Sequence, residues 1–400
     1  MNYLNIHMLF TFAAGNPNRD EFGVPKTVIY GGVERSRISS QAMTRPKRHG
    51  LEVTDEKTYR SKFIPQRVAD EVVRKLKSQG TSVNDAQRVV IEEAAKKSIL
   101  LLTSNGESTK KSNGKTSKKP VAMESEATED AIDNGSETTE TEENKKDTLV
   151  WLGSQEIDAL VALFVNQFPD VQAVAKIPEI AFIGPKTTSL SIASFGRMFA
   201  SAPTLQNEAA IQRSHAFTTH GVSVGVDYFT AADDLTTENK GASHMDTSML
   251  TSGVFYWHCN LDIRQLAEVW SGINDEDARE RLINLFNSIA WELPTGRANT
   301  SAYRGAPSLI MVQPASSPVS LQSAFETPVN STHNGHLQPS AEALLDESRF
   351  VRDLQPSHFD ETHLALASAN LKNLQTDGTT VENLDDLAGW FADYVLGEVK

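Results

Sequence analysis

The sequence predicts an α+β fold, because strand-like and helix-like stretches follow one another without the regular strand–helix repeat of a parallel sheet. Three observations lead there. The chain opens on a period-two stretch, with Leu4, Ile6, Met8 and Phe10 alternating with Asn5, His7 and Leu9. Helical periodicity then dominates 66–102 and 154–168. A β-like run at 253–261 (Gly-Val-Phe-Tyr-Trp-His-Cys-Asn-Leu) stands between helical stretches in the second half.

The elements follow in order. After the first strand, Gly15, Asn16, Pro17 and Asn18 mark a loop, and a second extended piece at 27–30 stops at Gly31-Gly32. Ser39 and Ser40 are N-cap candidates for a short basic helix starting near Gln41, and Pro46 is expected to end or kink it. Helices are predicted at 66–77 (Val68, Val72, Val73, Leu76) and 85–102 (Val89, Val90, Ala94, Ile99, Leu101). From 104 to 147 the chain has almost no apolar residues, a lysine-rich run preceding an acidic one. Such a stretch is expected to be disordered, because it has too little apolar surface to offset its ordering entropy. A helix at 154–168 follows, then β-like stretches at 222–229 and 253–261 around a polar excursion. Helices at 262–270 and 275–293, a strand at 309–312, and helices at 341–354 and 384–396 complete the reading.

Length and composition bound the function. The 400 residues are 39% hydrophobic and 22% charged, an ordinary composition for two or three soluble domains. One cysteine, Cys259, excludes an intramolecular disulfide framework and a Cys-cluster zinc site. No run of about 18 apolar residues predicts a membrane helix, and no signal peptide is read, so the expected compartment is the cytoplasm. The net charge of −14 argues against a polyanionic partner until its distribution is considered. Residues 1–103 hold 17 Lys and Arg against 11 Asp and Glu, and Arg35, Arg37, Arg45, Lys47 and Arg48 cluster there. Screening confines each field to about 8–10 Å, so a basic face on an acidic chain remains compatible with a polyanion.

No catalytic motif emerges. His215 and His220 are five residues apart, which does not share one helix face, and neither belongs to a His-Glu-x-x-His arrangement. There is no P-loop, dinucleotide fingerprint or nucleophile elbow. Asp233-Asp234 reads as a solvated pair or a hard-cation ligand. No catalytic residue, metal or cofactor is predicted. Arg37-Ile38-Ser39-Ser40-Gln41 is more informative, since it puts an arginine before two hydroxyls at a helix start. Backbone N–H groups there would form an anion site that Arg37 reinforces and Arg45, Lys47 and Arg48 extend. Met198, Tyr228 and Phe229 lie beside polar sequence, where they either enter the core or stack on unpaired bases.

At these residues the sequence resembles the CasC family, the CRISPR-RNA-binding backbone subunit of type I-E Cascade. The resemblance runs through Asn5-Ile6-His7, Asn18-Arg19-Asp20, Gly31-Gly32 and Arg37 to Gln41. It is strongest at 215–220 (His-Ala-Phe-Thr-Thr-His), 227–234 (Asp-Tyr-Phe-Thr-Ala-Ala-Asp-Asp) and 252–256 (Ser-Gly-Val-Phe-Tyr). The segments 320–326 and 337–340 carry it toward the C-terminus. The resemblance implies an RRM-like, ferredoxin-like palm (1–57, 176–215 and 253–400), a helical fingers insertion (58–175, containing the disordered 104–147) and a β-hairpin thumb (216–252). It implies a non-enzymatic protein that polymerises with copies of itself along CRISPR RNA, beside other Cascade subunits. The guide would then be pre-ordered for pairing with target DNA.

Carried over by position, Arg19, Lys26, Arg37, Ser40, Gln41, Arg45 and Arg48 would hold phosphates and Lys47 would add charge. Met198 and Phe229, with Tyr228 beside it, would wedge against bases. Thr44 and Pro46 depart from the family pattern. The alternative is a metal-dependent endoribonuclease of the related type III backbone kind, using Asp20.

Overall fold

The computed structural model describes residues 1–103, 149–172, 181–199, 201–232, 242–333 and 335–399. The expected disorder at 104–147 and the Asp233-Asp234 pair lie outside the described residues. Within them the chain is mixed α and β, and forms two compact units. The first comprises Met1–Thr54, Ala210–Glu268 and Ile273–Lys400; the second comprises Asp55–Ala209 and Val269–Gly272.

The first unit is built on β1 (Tyr3–Gly15). It lies antiparallel between β9 (Ala242–Asp262) and β10 (Pro307–Ala315) in a ten-stranded sheet. Beyond β10 come β11 (His363–Leu366) and β12 (Thr379–Thr380). On the other side β9 pairs with β6 (Ile211–Arg213), β7 (Ala216–Thr218) and β8 (Gly225–Ala232). β3 (Val33–Ile38) continues from β7 and β2 (Thr27–Tyr30) closes that edge.

The alternation in β1 is real, yet both of its faces are covered. Leu4, Ile6, Met8 and Phe10 are buried on one face. On the other, Leu9 joins Tyr256, Met311, Phe325 and Leu344 in a continuous apolar cluster. The polar members of that face are buried too, and find partners. Asn5 Nδ2 donates to the Gln313 carbonyl, and the Tyr256 hydroxyl lies 2.9 Å from His7 Nδ1. Burial pushes the His7 imidazole well below its ordinary range, so the ring is neutral in this core.

Helix α1 (Ser40–Leu51) has Ser39 as N-cap, its side chain accepting from the Ala42 N–H. Pro46 lies inside it, so the helix does not end there. The proline costs one intrahelical hydrogen bond, but Met43 before it and Lys47 and Leu51 after it are all buried and hold the helix on either side of the proline against the core. α1 packs on α5 (Ala278–Trp291), which also meets α6 (Leu384–Val399) and β10.

The second unit packs α2 (Ile64–Ser78), α3 (Asp85–Thr103) and α4 (Ser154–Gln167) beside a small ribbon of β4 (Thr58–Ser61) and β5 (Val150–Gly153). Val68, Val72, Leu76, Ile91, Leu160 and Phe164 form its core. Residues 181–209, expected with the palm, belong here, because Ile183, Phe199 and Leu205 enter that same core. No helix among the described residues is long and apolar enough to cross a membrane.

Candidate nucleic-acid interface

The basic face is built where β3 runs into α1. Asn18 ties the preceding loop to this junction, since its Oδ1 accepts from the Ser39 N–H at 2.8 Å and its carbonyl accepts from the Lys26 N–H. Arg19, half-buried, pairs across that loop with Pro25. Asp20 closes the turn between them, because its Oδ1 accepts the N–H groups of Phe22 and Val24, both at 2.9 Å. That is a turn-forming role.

Of the five clustered basic residues, two face inward. Arg35 is fully buried and donates to three carbonyls, those of Tyr30, Thr218 and Phe325. Lys47, expected to add charge to the phosphate face, is 1% exposed. Its ammonium donates to the carbonyls of Ile289 at 2.7 Å and Glu292 at 2.8 Å, and lies 4.7 Å from the centroid of the Trp257 ring. Burial lowers it to about 7. An α-helix turns by about 100° per residue, so Arg45, Lys47 and Arg48 of α1 cannot all point one way. Arg45 is exposed, whereas Arg48 is half-buried against Glu52 at 3.4 Å.

The start of α1 differs from the anion site read in the sequence. Its backbone donors are largely engaged within the protein: the Ser39 N–H by Asn18, the Ser40 N–H by His215 Nδ1 at 3.0 Å, and the Ala42 N–H by Ser39 Oγ. What remains for an anion is chiefly side chains. Arg37 is half-exposed, and its Nε contacts the Thr27 carbonyl. Ser40 and Gln41 are half-buried beside it, with Ser40 Oγ donating to Gln41 Oε1 at 3.3 Å. His215 was missed as a member of this group. The only signal for it was its place in the His-Ala-Phe-Thr-Thr-His run, which spacing tests for metal ligands do not reveal.

The three apolar candidates are all exposed, Met198 by 79%, Tyr228 by 71% and Phe229 by 44%. Met198 belongs to the second unit and lies on an anchored turn. Gly196 there has φ +79, and a Cβ on it would meet the Ala209 backbone at 2.9 Å. Arg197 is buried in an ion pair with Glu156, and Phe199 is buried in the core, so Met198 alone points outward. Tyr228 and Phe229 lie on the two-stranded ribbon that β8 makes with the first half of β9. Tyr228 sits opposite Thr247 and Phe229 opposite Asp246, and successive residues of a strand face opposite sides. One face therefore carries Val226, Tyr228 and Met245, and the other carries Phe229 with Asp227 and Asp246.

Within the first unit, cations at the β3–α1 junction can meet phosphates and the exposed aromatics of the β8–β9 ribbon can meet unpaired bases; Met198 is a separate exposed apolar side chain of the second unit. The family model described as CT1975-like protein matches residues 4–390. No match is found among curated proteins. A chain from a CRISPR RNA-guided surveillance complex, pre-nicking, has the same fold with a TM-score of 0.73 at 24% identity. That similarity covers 98% of this chain and 100% of the other. A chain from a second CRISPR RNA-guided surveillance complex aligns with a TM-score of 0.57 at 21% identity, covering both chains completely.

Proposed function

The chain belongs to the CT1975-like protein family, and from that premise we propose that it is a guide-RNA-binding backbone subunit of a type I-E Cascade surveillance complex. Copies of it line up along one CRISPR RNA in the cytoplasm, beside other Cascade subunits, and hold the guide ready to pair with target DNA. The observation that carries this reading is the fold shared end to end with a chain of a CRISPR RNA-guided surveillance complex. In this reading the first unit is the RRM-like palm, the second unit the fingers and the β8–β9 ribbon the thumb.

The mechanism is one of binding. Arg19, Lys26, Arg37, Ser40, Gln41, Arg45 and Arg48 contact phosphates, the arginines through charge-assisted hydrogen bonds that carry no sequence information. Lys47 is left out of this set, since its ammonium is buried between carbonyls. Met198 and Phe229 wedge against bases, which tolerates any guide sequence because every base has a stacking face. Pre-ordering the strand lowers the entropy lost when the target pairs. The protein is not a nuclease in this reading, and Asp20 serves its own loop.

Sedimentation of the purified chain tests this, alone and with a repeat–spacer RNA, at low and high salt. One discrete, RNA-dependent, salt-sensitive assembly of several copies is expected. A chain that stays small with RNA at low salt overturns the reading.

A further inference from the structure

We propose that His215 is a positioning residue for the phosphate-binding guanidinium of Arg37, an inference that rests on the RNA-binding reading above. Its side chain is exposed while the backbone on both sides is fixed. Before it, Ser214 makes three hydrogen bonds to β9. Its N–H donates to the His258 carbonyl, its Oγ accepts from the His258 N–H, and its carbonyl accepts from the Trp257 indole. After it, Ala216 is buried and pairs with Ile38. The β3–β7 register, Arg37 with Phe217 and Ile38 with Ala216, brings His215 level with Ser39 one step further on, where β3 becomes α1.

From there Nδ1 accepts the Ser40 N–H at 3.0 Å and lies 3.4 Å from the Arg37 NH1 nitrogen. A ring nitrogen that accepts a backbone N–H carries no proton, so the neutral ring bears its hydrogen on Nε2. Arg37 is thereby held on two sides, at Nε by the Thr27 carbonyl and at NH1 by His215. These contacts use two of a guanidinium's five N–H donors and leave the planar fork aimed by the scaffold. Holding a long side chain in its binding geometry reduces the ordering cost of gripping a phosphate. The histidine thus links strand, helix start and cation in one contact.

The test is RNA affinity and its salt dependence for His215→Ala, Arg37→Ala, Arg45→Ala and the two doubles with His215→Ala. His215→Ala is expected to weaken RNA binding about tenfold and to flatten the log–log salt slope by up to about 0.7, as loss of one single-strand phosphate contact does. Combined with Arg37→Ala it is expected to add little, whereas with Arg45→Ala the losses add. His215→Asn keeps an acceptor near the Nδ1 position and is expected to restore binding, while His215→Gln, which displaces it, is not. The Asn and Gln variants decide the matter if the alanine variant fails to fold. Additive losses with Arg37→Ala, or equal binding by the Asn and Gln variants, overturn this inference and leave the RNA-binding reading standing. Absence of RNA binding by the unsubstituted chain overturns both.

Discussion

Arg197 and Glu156 meet at 2.5 Å inside the second unit, with side-chain exposures of 1% and 9%, and the residue after Arg197 is thrown outward. The Asn207 side chain and the Trp151 carbonyl also accept from the arginine. Removing one partner leaves a buried charge uncompensated. Glu156→Gln is expected to destabilise the protein by about 3–5 kcal/mol in denaturant unfolding. Met198→Ala is expected to stay within about 0.5 kcal/mol of the unsubstituted chain while weakening RNA binding. A comparable loss of stability from both substitutions would make Met198 a packing residue.

The ribbon offers a sharper test of base contact. Tyr228 and Phe229 stand on opposite faces, so a single base beside the ribbon meets one of them. Phe229→Ala is expected to lower RNA affinity by about 1–3 kcal/mol, the worth of one stacked base, and Tyr228→Ala to leave it unchanged. The reverse result in a titration would assign the base to the Val226–Tyr228–Met245 face.

Arg45 and Lys47 are two residues apart and point to different worlds. Arg45→Ala is expected to reduce the slope of log affinity against log salt by about 0.7, and Lys47→Met to leave it unaltered. A flattened slope for Lys47→Met would require the buried ammonium to reach the RNA.

Lys47 also makes stability depend on pH. Burial brings its ammonium from the ordinary 10.5 down to about 7 in the folded protein. Between those values the unfolded chain binds the extra proton, so stability rises with pH across that window and is lowest below it. Relative to Lys47→Met, the unsubstituted chain is expected to gain stability from pH 7 to pH 9, by at most about 1.4 kcal/mol per pH unit. Parallel unfolding profiles for the two proteins would contradict this.

Cys259 lies near the C-terminal end of β9 with no exposure, and burial pushes its thiol up to about 12. The nucleophile is the thiolate, so a thiol reagent at pH 8 is expected to label the native protein only as fast as it opens. Rapid labelling without denaturant would show β9 to be open in solution.

Much of this fold was legible because its long elements announce themselves by period. The helices α2, α3, α4, α5 and α6 were read within a few residues of their ends, and the first strand was read at its start but runs five residues past Phe10 to Gly15. The short strands were not, since β4, β6, β7 and β11 have three or four residues each and exist only through distant partners. At the candidate site the sequence supplied residue types and missed direction. Arg35 and Lys47 sit among surface cations in the sequence, yet carbonyls from Phe325 and Ile289, hundreds of residues away, draw them inward. His215 was passed over for the same reason, because its partners on β3 and α1 become neighbours only when β7 pairs with β3.

β9 is one strand of 21 residues whose two halves have different company. The first half pairs with β8, and the second is gripped by β1 across a register shift near Phe12–Gly15. In mechanical terms the ribbon is a beam built into a wall. Force applied along the first half of β9 passes as tension down one unbroken backbone into the β1–β9 ladder. Yielding there means shearing many hydrogen bonds together, where a hinged loop would only turn about a few torsions. A Cβ at Gly253, near the root of this beam, would meet Thr218 Cγ2 at 2.9 Å and His220 Nε2 at 3.0 Å. The stiffness of the protrusion is therefore set in the middle of the sheet.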